Sequence, residues 1–220
     1  EGYFNHNIES VRNLMFLENY GKGLNITVQV LDAIMCHNGE FALGEYYPKK
    51  KTVKDFLEEY QSSYQDKNVL AAMRPMTLEG CVVRVSDLIA YLGRDIDDAV
   101  RLNILKREEI PKEITSVLGT TTKDIVNTCI LDIIKNSYNK DFIKLSDHVY
   151  EAIVKLKKFN YEHIYNKAMT KEEVENLTHK FETLFKTYLE DLKNKNEKSP
   201  IIHSYLKNMA NEYRKTNSDT

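Results

Sequence analysis

The stretch from Thr77 to Leu102 constrains the fold more than any other part of the chain. Wound as a helix, it sets Asp87, Tyr91 and Asp95 four residues apart, each displaced by only about 40° from the last, and Asp98 falls back inside that arc. Val82, Val85, Leu88, Ile89, Leu92, Ile96 and Val100 collect on the other side as an apolar stripe. One face is thus built for a core, and the opposite face carries three carboxylates and a phenol, flanked by Arg84 and Arg94. A solvated helix face accounts for such charges. Two choices point further. The acid is Asp, a poorer helix former than Glu, and Tyr91 sits between two of them. A short, stiff carboxylate suits a metal ligand or a fixed hydrogen-bond acceptor, and an aromatic ring with a hydroxyl suits a nucleoside site.

The rest of the chain is predicted to be helical too. Its 220 residues hold only 8 Gly and 4 Pro, and apolar residues make up 42%, enough for a core; so few breakers over this length predict an all-α fold. The net charge of −2 gives no bulk field for nucleic acid or membrane. Cys36, Cys81 and Cys129 are odd in number and far apart, as expected of reduced, buried thiols in a cytoplasmic protein. No apolar run approaches the ~20 residues of a membrane span, and no signal peptide is visible.

In chain order, a helix is predicted from Phe4 to Tyr20, ended by Gly21-Lys22-Gly23. A second runs from Asn25 to His37, with Val28, Leu31, Ile34 and Met35 on one face. Tyr46-Tyr47-Pro48-Lys49-Lys50-Lys51 reads as a basic loop, either a solvated turn or a phosphate contact. A helix follows from Val53 to Tyr64, and Thr77 is placed as N-cap of the central helix. After a break at Pro111 come a short helix to Leu118, an amphipathic one from Asp124 to Tyr138, and one from Asp147 to Ala168 capped by Ser146. Thr170 caps a helix from Lys171 to Lys193, a polar linker follows, and a last helix spans Ile201 to Arg214.

Several of these segments resemble one family. Thr77-Leu78-Glu79-Gly80, Val83 through Tyr91, and Arg94-Asp95-Ile96-Asp97-Asp98-Ala99 closely resemble the HD-superfamily deoxynucleoside triphosphate triphosphohydrolases, the dGTPase-like enzymes, with Ser86 where Ala is usual. Phe4-Asn5-His6-Asn7-Ile8-Glu9-Ser10-Val11-Arg12, Gly23-Leu24-Asn25-Ile26-Thr27 and the run from Val149 to Tyr165 are similar to further family segments. The resemblance implies an HD-domain-like helical fold, with residues 1–105 as the later part of the catalytic core, 106–193 as a helical extension completing the nucleotide site, and 194–220 as linker, last helix and tail. It implies Asp87 as a metal ligand, Tyr91 and Asp95 as deoxyribose contacts, His6 as a catalytic group, and Asn7, His37 and Tyr161 as substrate contacts. Read without the family, His6 and His37 are helix-end residues, and Tyr161 belongs to an aromatic stripe at helical spacing. Tyr205, Leu206, Met209 and Tyr213 match a later family segment in which Ser204 and Asn211 replace two Asp, so nothing catalytic is placed there.

The activity implied is hydrolysis of a deoxynucleoside triphosphate to deoxynucleoside and triphosphate, with a divalent metal (Mn, Mg, Fe or Zn) as cofactor, and a homo-oligomer and a nucleotide effector as further partners. The family's remaining metal ligands, a His and a His-Asp pair, have no counterpart here: no His-Asp step occurs in the chain, whose first residue, Glu1, is not Met. The expectation is a piece of a longer enzyme, inactive alone and with an apolar face left uncovered. The alternatives are another HD nucleotide phosphohydrolase, or a non-catalytic helical regulatory or nucleic-acid-binding module; the lack of a basic stripe counts against the last.

Overall fold

A computed structural model describes residues 3–38, 44–167 and 169–216. The expectation of an all-α fold holds: among the described residues there are ten α-helices of six residues or more, and the β-structure is one antiparallel pair of two-residue strands. The chain divides into two compact units, residues 1–11 with 27–168, and residues 12–26 with 169–220.

The first unit contains α1 (His6–Arg12) up to Val11, and then α3 (Val28–Cys36), β1 (Glu45–Tyr46), α4 (Val53–Ser62), α5 (Lys67–Ala72), α6 (Leu78–Arg101), α7 (Lys112–Leu118), α8 (Thr122–Ser137), β2 (Ile143–Lys144) and α9 (Asp147–His163). Local chemistry sets the starts of these helices. The Thr77 hydroxyl accepts from the Gly80 amide at 3.1 Å, and Thr52–Asp55 and Thr121–Asp124 form reciprocal capping boxes. At 24 residues α6 is the axis. Val85, Leu88, Ile89, Leu92, Ile96 and Ala99 join Ile114 and Leu118 of α7, Ile125 and Cys129 of α8, and Ile153 and Leu156 of α9 in one core. Leu105 and Ile110 belong to that same core. The strands pair Glu45 with Lys144 and Tyr46 with Ile143.

Two residues of α6 depart from the expected stripe. Val82, placed on the core side, is exposed, whereas Arg84, placed beside the charged face, is buried. The reason is that α6 is covered on more than one side, α3 packing across its first turns. Arg84 donates to the Met73 carbonyl at 2.9 Å and lies over the Tyr46 ring, 5.6 Å from its centroid. Glycine makes two of the close approaches possible. A Cβ on Gly80 would stand 2.7 Å from Pro75, and one on Gly93 would stand 3.1 Å from the Thr122 Cα. At that second joint the Thr122 hydroxyl donates to the Gly93 carbonyl at 2.8 Å and also contacts Asp97, which takes Arg107 on its other oxygen. Burial alone would raise the Asp97 pKa; the Thr122 and Arg107 contacts outweigh it and hold the carboxyl below its ordinary range. Gly93→Val is therefore expected to cost about 2–3 kcal/mol by overpacking the α6–α8 joint, read as a lowered denaturation midpoint with unchanged m-value; an unchanged midpoint would mean that the helices part freely.

All three cysteines are free and buried. Burial pushes the Cys36 and Cys129 thiols up to about 12 and that of Cys81 to about 11, so they sit in the core as protonated apolar groups.

The second unit contains a single turn, α2 (Glu18–Gly21), with α10 (Lys171–Lys193) and α11 (Asn211–Thr216). The helix expected to run from Phe4 to Tyr20 does not do so. It loosens into a π turn at Asn13–Leu17, and Asn19, Tyr20, Gly21 and Gly23 take positive φ. A Cβ on Gly23 would meet the Met15 carbonyl at 2.0 Å, so the reversal requires glycine there. The last predicted helix is likewise broken, into a π turn at Ile201–Tyr205, a 3-10 turn at Leu206–Asn208 and α11. Ala210 donates to the Tyr20 carbonyl at 2.7 Å, tying the two parts of this unit together. Among the described residues no helix is long and apolar enough to cross a membrane.

Candidate functional site

Two clusters gather the residues singled out by the sequence, and both lie in the first unit. The first runs along α6. Asp87 is exposed, and among the described residues it has no hydrogen bond or ion pair. Tyr91 is half-exposed one turn on, and Asp95 is partly buried one turn further. The Asp95 Oδ2 accepts a hydrogen bond from the Tyr165 hydroxyl, brought across by the 3-10 turn that follows α9. Tyr161 stands one turn before Tyr165, its ring edge-on at 6.2 Å. The structure thus connects Asp95 to Tyr161 through Tyr165, a residue that the sequence reading passed over. Its signal was present, since it closes the Val149–Tyr165 run and stands four residues from Tyr161.

Electrostatics fix the proton in this cluster. Partial burial raises the Asp95 pKa, opposed by the Tyr165 hydrogen bond and reinforced by the nearby Asp98 charge. Burial, with the Asp95 hydrogen bond and charge, pushes the Tyr165 phenol up strongly. Tyr91 moves up as well, through burial and then the Asp87 and Asp95 charges. The Tyr165 phenol therefore stays protonated as donor, and Asp95 keeps its other oxygen as an acceptor for something else. Beside this polar line lies an apolar groove of about 660 Å³, to which Val82, Ser86, Ile89 and Ala90 of α6 and Ile130 and Ile134 of α8 contribute.

The second cluster forms where α1 meets the end of α3. The Nε2 atoms of His6 and His37 are 3.2 Å apart, with the rings edge to face at 5.2 Å. His37 Nδ1 donates to the Ile34 carbonyl at 2.6 Å, so a neutral His37 offers Nε2 as acceptor and His6 supplies the shared proton. Asn7 is buried, and its amide donates to the Met35 carbonyl at 2.5 Å; the side chain points inward and locks α1 onto α3. The Lys49–Lys51 loop is less free than its composition suggests. The Lys51 side chain is wholly buried, its ammonium 2.7 Å from Asp32 and 2.6 Å from Glu59, and Lys49 pairs with Glu59 at 3.2 Å.

Among the described residues no group of three or more His, Cys, Asp or Glu side chains could hold a metal ion. Asp87 by itself is a single oxygen ligand, whereas divalent cations take several. The described residues alone do not complete a metal centre.

Comparison with known proteins bears on the family of the chain. No family model matches the chain, and no solved structure does. Curated proteins do match. The chain is similar to a deoxyguanosinetriphosphate triphosphohydrolase-like protein of Caldanaerobacter subterraneus, 34% identical over 185 residues that cover 84% of this chain and 45% of that protein. A protein of the same name from Clostridium tetani is 33% identical over 195 residues, covering 86% of this chain and 48% of the relative. One from Desulfatibacillum aliphaticivorans is 32% identical over 192 residues, with 86% and 48% covered. The chain spans about half the length of the curated relatives it matches. With several such relatives aligned over most of its residues, the chain belongs to the dGTPase-like triphosphohydrolase family.

Proposed function

We propose that the protein hydrolyses a deoxynucleoside triphosphate to deoxynucleoside and inorganic triphosphate, and that this chain supplies the sugar-binding side of the site. The observation that carries the reading is Asp95, held by the Tyr165 hydroxyl with Tyr91 one turn back on the same exposed face of α6. In this reading the free oxygen of Asp95 accepts the sugar 3′-hydroxyl, and Tyr91 closes against the ring so that a 2′-hydroxyl has no room. Tyr165 acts through Asp95, orienting the carboxylate, and Tyr161 flanks the nucleoside. Water adds to the α-phosphorus as the bond to the sugar 5′-oxygen breaks; His6, when its pair with His37 carries an extra proton, gives its Nε2 proton to that oxygen, and the proton released by the water restores the pair. Asn7 keeps His6 in place. Asp87 serves as one ligand of a divalent metal whose other donors lie outside the described residues; when bound, such an ion supplies charge neutralisation at a phosphate and an activated water.

The test uses the whole gene product. Tyr91→Phe and Asp95→Ala should each lower kcat/KM for deoxynucleoside triphosphates by about 1–3 kcal/mol, the cost of unpairing a polar group in a site, with melting temperature and metal content unchanged. Because the Asp95 pKa is raised, its acceptor is lost on acidification at a higher pH than an ordinary Asp, and Asp95→Asn should remove that limb of the kcat/KM profile. Wild-type kinetics in both variants would return this face to plain solvation. A different phosphohydrolase product, such as a monophosphate with pyrophosphate, would overturn the reaction while leaving the nucleotide site standing.

A further inference from the structure

The imidazoles of His6 and His37 come from positions 31 residues apart and meet at the surface of the first unit. His6 opens α1 and is exposed, and His37 caps the end of α3 and is partly exposed, so water and small ions reach both rings. The backbone beneath them is fixed. Asn7 donates to the Met35 carbonyl at 2.5 Å, and Asn7, Ile8, Met35 and Cys36 are all buried. His37 is fixed in tautomer as well: its Nδ1 donates to the Ile34 carbonyl at 2.6 Å, which leaves the Nε2 lone pair beside His6. An imidazole that gives one N–H to a backbone carbonyl and presents its other nitrogen is the arrangement that metal-ligating histidines adopt. Spacing agrees. Two imidazoles on one tetrahedral ion, with bonds of about 2.0–2.1 Å, hold their nitrogens roughly 3.3–3.4 Å apart. The two Nε2 atoms stand at 3.2 Å, with the rings inclined by 63° rather than stacked.

We propose that the His6–His37 pair is a zinc(II) site. The ion takes both Nε2 atoms in place of the proton that the rings otherwise share, and water completes its coordination. Rotation of the exposed His6 ring turns the pair from hydrogen bond to chelate. Ligand type selects the ion. Two neutral nitrogens suit zinc, nickel and copper, whereas magnesium and manganese are held through oxygen. Among the described residues no third His, Cys, Asp or Glu joins the pair, so the ion keeps open positions and is held reversibly. The Cys36 thiol, next in sequence, is no donor: it is buried, 3.8 Å from Asp32 and 3.6 Å from Lys51. The site itself is independent of the reaction; its consequence rests on the reaction proposed above. With both Nε2 atoms on zinc, His6 has no proton to give to the sugar 5′-oxygen, and zinc at this place inhibits.

Calorimetric titration of the 220-residue chain with zinc chloride, in excess magnesium, tests the site. One tight equivalent is expected. His6→Gln and His37→Gln should each weaken it by about 100-fold or more, the loss of one arm of a two-point contact, and Asp87→Ala should leave it unchanged. Copper(II) in place of zinc reads the donors directly: electron paramagnetic resonance of the wild type should show two equatorial nitrogens, and this spectrum decides the donor set whatever the variants do to folding. Zinc binding equally tight in wild type and His37→Gln, or a copper spectrum without two nitrogen donors, would overturn the site. In the whole gene product, zinc should slow hydrolysis in step with occupancy of the pair, and His37→Gln should resist it relative to its own zinc-free rate. Turnover undiminished with the pair occupied would leave the site standing and overturn His6 as the proton donor.

Discussion

Replacing Asp87 by alanine in the whole protein should strip the bound divalent metal and lower turnover by three orders of magnitude or more, at least ~4 kcal/mol of transition-state stabilisation. The size of the effect follows from the role proposed for this carboxylate. A metal site of few donors loses both affinity and geometry when one is removed, and the ion's contribution to the reaction is worth several kcal/mol. The structure makes the experiment clean. Asp87 is exposed and makes no hydrogen bond or ion pair among the described residues, so its removal leaves no orphaned partner in the fold. With metal removed from both, the melting temperatures of the variant and of wild type should agree within about 1 °C, a change of a few tenths of a kcal/mol at most. Elemental analysis of the purified variant reads the metal directly. Full occupancy with normal kinetics would show that Asp87 is a solvated surface residue.

The second large effect concerns stability. Lys51→Met should destabilise the chain by about 3–5 kcal/mol, because it leaves a buried acid without its counter-charge. The Lys51 and Asp32 side chains are both wholly inaccessible and 2.7 Å apart, and Glu59 closes the group at 2.6 Å from the same ammonium. Asp32 uses its other oxygen to accept from the Met76 amide at 2.6 Å, just ahead of the α6 cap, so the network joins α3, α4 and the entry to the central helix. Replacing Asp32 by Asn as well removes the stranded charge, and the double variant Asp32→Asn/Lys51→Met should recover part of the loss. The pH dependence has a definite sign. Burial alone would lower the Lys51 pKa, but Cys36, Asp32 and Glu59 together raise it. A raised cation pKa gives stability that is fully present below the unfolded value near ~10.4 and is lost only as pH rises through the folded value. The contribution of Lys51 should therefore hold from neutral pH to about pH 10. A melting temperature for Lys51→Met within a degree or two of wild type would mean that the cavity hydrates.

The sequence by itself determined the helical class and the axis of the fold. Scarcity of Gly and Pro, the caps at Thr77 and Thr170, and the 3.6-residue periodicity of Thr77–Leu102 are local signals, and the observed α6 runs from Leu78 to Arg101. The same periodicity set Asp87, Tyr91 and Asp95 on one face, because spacing along a helix translates directly into position around it. What only the tertiary structure decided is each case in which a neighbour overrides the pattern. Arg84 reads as a surface charge until α3 and Met73 enclose it, and Lys51 reads as part of a basic loop until Asp32, nineteen residues away, takes its charge inside. Tyr165 became a site residue because the turn after α9 carries it to Asp95 across seventy residues of chain. The reversal at Asn19–Gly23, where the sequence predicts only the end of a helix, is set by backbone bonds to Leu14 and Glu18. Periodicity records which side of a helix is apolar; which of the remaining sides stays wet depends on the elements packed against it, and those are fixed only when the whole chain has folded.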